Sequence, residues 1–171
     1  DTRLHSIDPK TCQHETIATI KDVHDVHQIS TDGQFVYLTD TGKNRVIMYD
    51  LDKAAIHRLV NVGHLRDDIN HINAVRVIGN KLLIGLNNRG RESEILSLDI
   101  SQLTSGSEFE FDALTRGTVR AIKNVSNSHD LEPCADTILC CSSHDGQVID
   151  TRDSKVRIDE NDWVRGLAAN T

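Results

Sequence analysis

Three histidines occupy similar places ahead of three similar β-rich runs. His24 lies in VHDVHQIS (residues 23–30), His71 in NHINAV (70–75) and His129 in SHDLEP (128–133). His24 and His71 each stand eleven residues before the first apolar residue of the next run, Phe35 and Leu82; His129 stands nine before Ile138. Imidazole binds metals through a neutral ring nitrogen and moves protons near neutral pH. Three imidazoles with an open fourth position form the donor set of a catalytic metal site. On this reading His24, His71 and His129 are metal ligands for a divalent ion, zinc or calcium. The loops between the strands that follow carry Asp40, Asn88, Arg89 and His144, and Arg165 joins from WVRGLA. A concave site with acid, base and cation together is the default ligand site.

These residues need elements to position them, and a repeat supplies the elements. RLHSID (3–8), RVIMYD (45–50), EILSLD (94–99) and QVIDTR (147–152) share an aliphatic second residue: Leu4, Val46, Ile95 and Val148. Three of the four carry Asp four residues later: Asp8, Asp50 and Asp99. The copies are spaced 42, 49 and 53 residues apart, the range of propeller blades. Ahead of the last three copies stand FVYLTDT (35–41), LLIGLNN (82–88) and ILCCSSH (138–144). Each follows a turn signal: Asp32-Gly33, Gly79-Asn80 and Ala135-Asp136. The histidine segments precede these turns as inner strands, with DWVRGLAA (162–169) as a fourth copy. IHRLVNV and VRAIKNV read as outer strands, although residues 112–123 also allow a short helix that Gly117 and Thr118-Val119 weaken.

The unit is thus four strands, and the fold class is all-β: a β-propeller of four-stranded antiparallel blades. A stacked sandwich does not account for four copies in the same strand order. Blade repeats fall near residues 24–62, 71–125 and 129–160, with partial blades at both ends of one domain over residues 1–171. Because the copies of each strand are unequal in number and the chain opens at Asp1, the expectation is a cut portion of a six-bladed ring. The remaining blades would then lie on a further part of the chain. A four-bladed ring lacking one strand is the alternative.

TDTGKNRVIMYD (39–50) resembles the passage between the second and third strands of NHL-type six-bladed propellers. Asp40, Thr41, Gly42, Asn44, Arg45, Val46, Tyr49 and Asp50 match that pattern. Asp, Gly and Asn suit a tight polar turn, and Val46 and Met48 fall on one strand face. The second and third copies, LNNRGRESEILSLD and SSHDGQVIDTRD, lack the arginine. A six-bladed propeller with histidines around a metal also resembles peptidyl-hydroxyglycine amidating lyase in architecture and residue type.

Three functions follow as alternatives. The first is a ligand-binding propeller with a histidine-rich polar channel mouth holding a divalent metal. The second is a metal-assisted lyase or hydrolase acting on a small polar substrate. The third is a protein-interaction scaffold whose histidines are structural; no residue is assigned as catalytic. The net charge of −7 argues against nucleic acid. The aromatic content of 4% disfavours base stacking and aromatic hot spots. No Gly-rich phosphate loop suggests a nucleotide cofactor, and no apolar run reaches the length of a membrane span. Cys12, Cys134, Cys140 and Cys141 match no zinc spacing and favour reduced thiols, which tilts localisation towards the cytoplasm.

Overall fold

The computed structural model describes residues 1–62, 68–89, 91–103, 108–111, 119–121, 125, 127–152, 154–158 and 163–168. The chain is all-β, in four small sheets. The first is the hairpin β1 (Thr2–Ile7) and β2 (His14–Ile20). The second contains β3 (Ile29–Thr31), β4 (Phe35–Asp40), β5 (Arg45–Asp50) and β6 (Ala55–Val62). The third contains β7 (Ile72–Ile78), β8 (Lys81–Leu86), β9 (Glu94–Asp99) and β11 (Val119–Ala121). The fourth contains β12 (Ser128–Cys134), β13 (Thr137–Ser142), β14 (Gln147–Asp150) and β15 (Lys155–Arg157). Within these sheets the strands just named pair antiparallel, each with its neighbour in that order.

One strand breaks the order. β10 (Glu108–Phe111) leaves the third unit and pairs parallel with β6 at the outer edge of the second sheet. Asn61 donates to the Glu110 carboxylate across this pairing. Of the residues read both as outer strand and as short helix, Val119–Ala121 are strand, and residues 112–118 and 122–124 lie outside the described residues. DWVRGLAA does not form the expected strand: residues 163–168 carry no ladder. They are held instead by single bonds, described below. Among the described residues no helix is long and apolar enough to cross a membrane.

The middle strands are apolar nearly throughout because both of their faces are covered. Val36 and Leu38 of β4, with Ile47 and Tyr49 of β5, pack on Leu4, Ala18 and Ile20 of the first sheet. The alternate residues Tyr37, Val46 and Met48 face the other way, onto Leu82, Ile84 and Leu86 of β8 and Leu96 and Leu98 of β9. Val46 and Met48 do share a face, as period-two geometry requires. The third sheet repeats the arrangement: Leu83 and Ile95 turn towards Leu131, Cys140 and Ile149 of the fourth. Cys140 belongs to that core and Cys141, its neighbour on the strand, does not. Each fully buried side chain of this size contributes about 1.5–3 kcal/mol. Gly85 is tightly enclosed: an added Cβ would lie 2.9 Å from the Cβ of Ala74, its partner on β7, and 3.5 Å from Leu131 of the fourth sheet.

Hydroxyl groups tie the second sheet to the third, the third to the fourth, and the fourth to the segment that follows it. The Thr41 hydroxyl donates to the Ile72 carbonyl. The Ser93 hydroxyl accepts from Ser128 N at 3.2 Å, and the Ser143 hydroxyl donates to the Val164 carbonyl at 2.7 Å. Side chains of the inner segments add to this: Gln28 Oε1 accepts from Val75 N at 2.7 Å, and Ser30 Oγ from Val77 N at 3.0 Å. These bonds fix the ends of the inner segments against one another, which is where the histidines lie.

Candidate functional site

The inner segments of the second, third and fourth sheets begin with irregular backbone. Asp25 (φ 62°), His71 (φ 45°) and Asp130 (φ 56°) are left-handed, and Gly166 (φ 81°) is left-handed in the segment after them. Non-glycine residues reach this region at a cost, and Asp, Asn and His bear it best. The curl swings side chains inward. The ring of His27 lies 5.1 Å from that of His71, edge to face, and 6.5 Å from that of His129. Trp163 adds an indole 5.7 Å from His129. Four segments of chain therefore meet at one cluster.

Each histidine is held by a different partner. His27 Nε2 sits 3.2 Å from the Asp25 carboxylate. His71 Nδ1 donates to Asp68, 2.9 Å from Oδ2, and the Arg89 guanidinium grips the same residue, Nε donating to the Asp68 backbone carbonyl at 2.8 Å and Nη2 to Oδ2. Burial alone would raise the Asp68 carboxyl, but the bonds from Arg89 and His71 outweigh it and hold the group below its ordinary value. His129 is only 6% exposed. Its Nδ1–H is shared between the Asn127 carbonyl at 2.9 Å and the Ser143 oxygen at 2.7 Å. Because the Ser143 proton goes to Val164, Nδ1 must be the protonated nitrogen of this ring. Nε2 is then a lone pair, and Arg165 Nη2 donates to it at 2.7 Å. Burial first, and the Arg165 charge second, pull His129 down from 6.5 to about 4. It is a neutral imidazole at pH 7.

Of the residues singled out in the sequence, His71, His129, Arg89 and Arg165 come together. Four others do not. His24 is turned out, its side chain 62% exposed and its Nε2 3.4 Å from Asp22. Its backbone N–H donates to Asp40 at 2.7 Å, and Gly42 packs at its Cβ. Asp40 is fully buried and also accepts from Arg45 Nε at 2.7 Å, so it shapes the turn. Asn88 is spent on the Glu92 carbonyl and the Glu94 carboxylate at 2.8 and 3.0 Å. His144 is exposed, with Nδ1 3.6 Å from Asp145.

The metal set assigned from the sequence meets the same difficulty. Among the described residues no group of three or more His, Cys, Asp or Glu is arranged to hold a metal ion. His27 Nδ1 and His71 Nε2 have no hydrogen-bond partner among the described residues, whereas both nitrogens of His129 are engaged. A three-histidine metal site therefore requires Arg165 to leave His129.

No family model matches the chain, and no curated protein matches it. Among solved structures it is similar to the crystal structure of the computationally designed Ika8 protein, with a TM-score of 0.51 and 15% identity. The match covers 88% of this chain and 40% of that one, so the chain spans less than half the length of the designed protein. At this identity the likeness concerns fold alone.

Sequence reasoning passed over His27, Asp68 and the positioning role of Trp163. Spacing back from the next strand selects His24 and skips His27, three residues later in the same segment. What brings it inward is the left-handed Asp25, two residues earlier, which turns the chain before the ladder starts at Ile29. Asp68 has a local signal, a carboxylate three residues before a histidine, but no spacing rule gives the curl that joins them.

Proposed function

We propose that this chain forms successive blades of a β-propeller whose inner segments build a binding site for a small polar ligand around His27, His71 and His129. The observation that carries it is the meeting of three imidazoles from three different sheets at 5.1 and 6.5 Å. Three supports favour the propeller: the four-strand order in chain sequence, the hydroxyl ties between consecutive sheets, and the NHL-type pattern at Thr39–Asp50. Packing alone does not call for imidazoles at a junction of sheets; polar groups there cost free energy unless they bind something or one another. Among the described residues His27 Nδ1 and His71 Nε2 stay open.

A second reading, a lyase or hydrolase, is favoured by the Asp68–His71 pair. A carboxylate on Nδ1 fixes the tautomer and leaves Nε2 as the proton-accepting atom, the geometry of an oriented general base. Arg89 draws on the same carboxylate, which moderates the effect. A divalent metal, zinc or calcium, remains the third form of this site and is the one that asks Arg165 to move.

The test is a fragment screen read by NMR of ring-labelled histidines. A small polar fragment that shifts the rings of His27, His71 and His129, and loses that effect in His27→Ala and His71→Ala, is the expected result. Fragments that leave these three rings unmoved, with the variants simply lowering the melting temperature, would make the histidines structural and refute the proposal. Elemental analysis of the same samples decides the metal form.

A further inference from the structure

Building on the ligand site just proposed, we infer that it takes a small monocarboxylate, and that Arg165 is the residue that receives it. The inference starts from an unbalanced cation. Arg165 is held by the His129 lone pair at 2.7 Å, and its guanidinium carbon lies 5.7 Å from the centre of the Trp163 ring. Neither partner carries negative charge. Among the described residues no carboxylate comes within ion-pair distance of Arg165, while Arg89, the other arginine of the cluster, is matched by Asp68. A guanidinium has five N–H donors in a planar fork, and one of them is spent on His129. The fork is thus positioned by an imidazole and an indole and left open to a planar two-oxygen acceptor.

The surrounding charges disfavour a guest with more than one negative charge. Asp25 lies against His27, and Asp68 against His71. Asp130 follows His129 directly, and its oxygens are occupied by Gly166 N at 2.7 Å and Gln28 Nε2 at 3.4 Å. These three carboxylates do not neutralise Arg165 by contact, but they oppose a second negative charge in the same space. A carboxylate on Arg165 would have His27 Nδ1 and His71 Nε2 in the same cluster, available to polar groups on the rest of the molecule. A phosphate dianion would meet the same fork with an added repulsion.

Trp163 is the sole tryptophan of the chain, so its fluorescence reports on this site alone. Acetate and lactate are titrated at fixed ionic strength, with inorganic phosphate as dianion and acetamide as the neutral isostere of acetate. The expected result is a saturable change with acetate or lactate, a weaker one with phosphate, and none with acetamide. Arg165→Gln should weaken the carboxylate response by about tenfold or more, the worth of a hydrogen bond to a charged group, and Arg165→Lys should keep part of it. No saturable response to either carboxylate, or an undiminished one in Arg165→Gln, overturns the inference. The histidine-ring spectra separate the two proposals. Rings that respond to acetamide while the carboxylates are silent overturn the carboxylate assignment and leave the ligand site standing. Rings silent to every probe overturn both.

Discussion

Replacing His129 by Gln should flatten the pH dependence of stability between pH 7 and pH 5. His129 titrates at about 4 in the fold against 6.5 for a free imidazole. Its folded value lies below its unfolded value, so the unfolded chain takes up a proton first as the pH falls. Stability from this group is fully present above pH 6.5 and is lost as the pH drops towards 4. Linkage then gives a loss of about 2 kcal/mol between pH 7 and pH 5, and about 3 kcal/mol by pH 3. The physical content is that an imidazolium at this position must give up the Arg165 bond and sit beside a guanidinium in a buried pocket. Urea unfolding at pH 7, 6 and 5 measures it, with the wild type and His129→Gln compared at each pH. Contributions common to both proteins cancel in the difference. Arg165→Gln removes the second cause of the shift and should recover part of the loss. Equal losses for wild type and His129→Gln over this range would refute the assignment of His129 as a neutral group clamped by Arg165.

Four further outcomes are expected. Thr41→Val keeps the volume but leaves the Ile72 carbonyl without its donor, and should cost about 1–3 kcal/mol in urea unfolding. Gly85→Ala places a methyl group 2.9 Å from the Cβ of Ala74, its partner on β7, and 3.5 Å from Leu131 of the fourth sheet, and should cost about 1–3 kcal/mol by overpacking; an unchanged midpoint would mean that the β7–β8 pair shifts freely to admit the methyl. Asp40→Ala leaves the Arg45 Nε and the His24 N–H unmet and should cost about 3 kcal/mol, read from the same assay. Burial pushes the Cys140 and Cys141 thiols up to about 12, so in a thiol-reagent time course at pH 8 exposed Cys12 should react promptly and this pair only on unfolding.

Much of the framework was legible because period-two patterning and turn chemistry are local. Phe35–Asp40 and Arg45–Asp50 fall as strands where the sequence puts them, and the turn between them closes at left-handed Asn44, as TDTGKN suggests. The third such turn closes at left-handed Gly146, at the same place in its repeat. The site was only half legible. Counting residues back from β4 selects His24, yet the ring that meets His71 and His129 is His27. The count fails because the register shifts between Ile72 and Ala74 and between His129 and Glu132, and because residues 23–28 form no ladder. What recurs is a conformation. His24, Asn70, His129 and Arg165 each stand directly before a left-handed residue, and only two of the four are histidine. Asn73 shows the limit from the other side: both polar atoms of its amide are buried without a hydrogen-bond partner among the described residues, and neither the sequence nor the packing accounts for it.

The parallel strand Glu108–Phe111 bears on how this chain is made. In an array of repeats, each unit normally folds against its neighbour as it is synthesised. Here the outer edge of the second sheet waits for residues about 50 positions downstream, since Leu59–Val62 pair with Glu108–Phe111. Until those residues emerge, β6 presents an open row of backbone donors and acceptors to any passing strand. Such a non-local closure slows folding, because the loop must be ordered before its contacts are gained. It also ties the second sheet to the third unit, so that the second sheet reaches its final form only after the strand lying between β9 and β11 has been made.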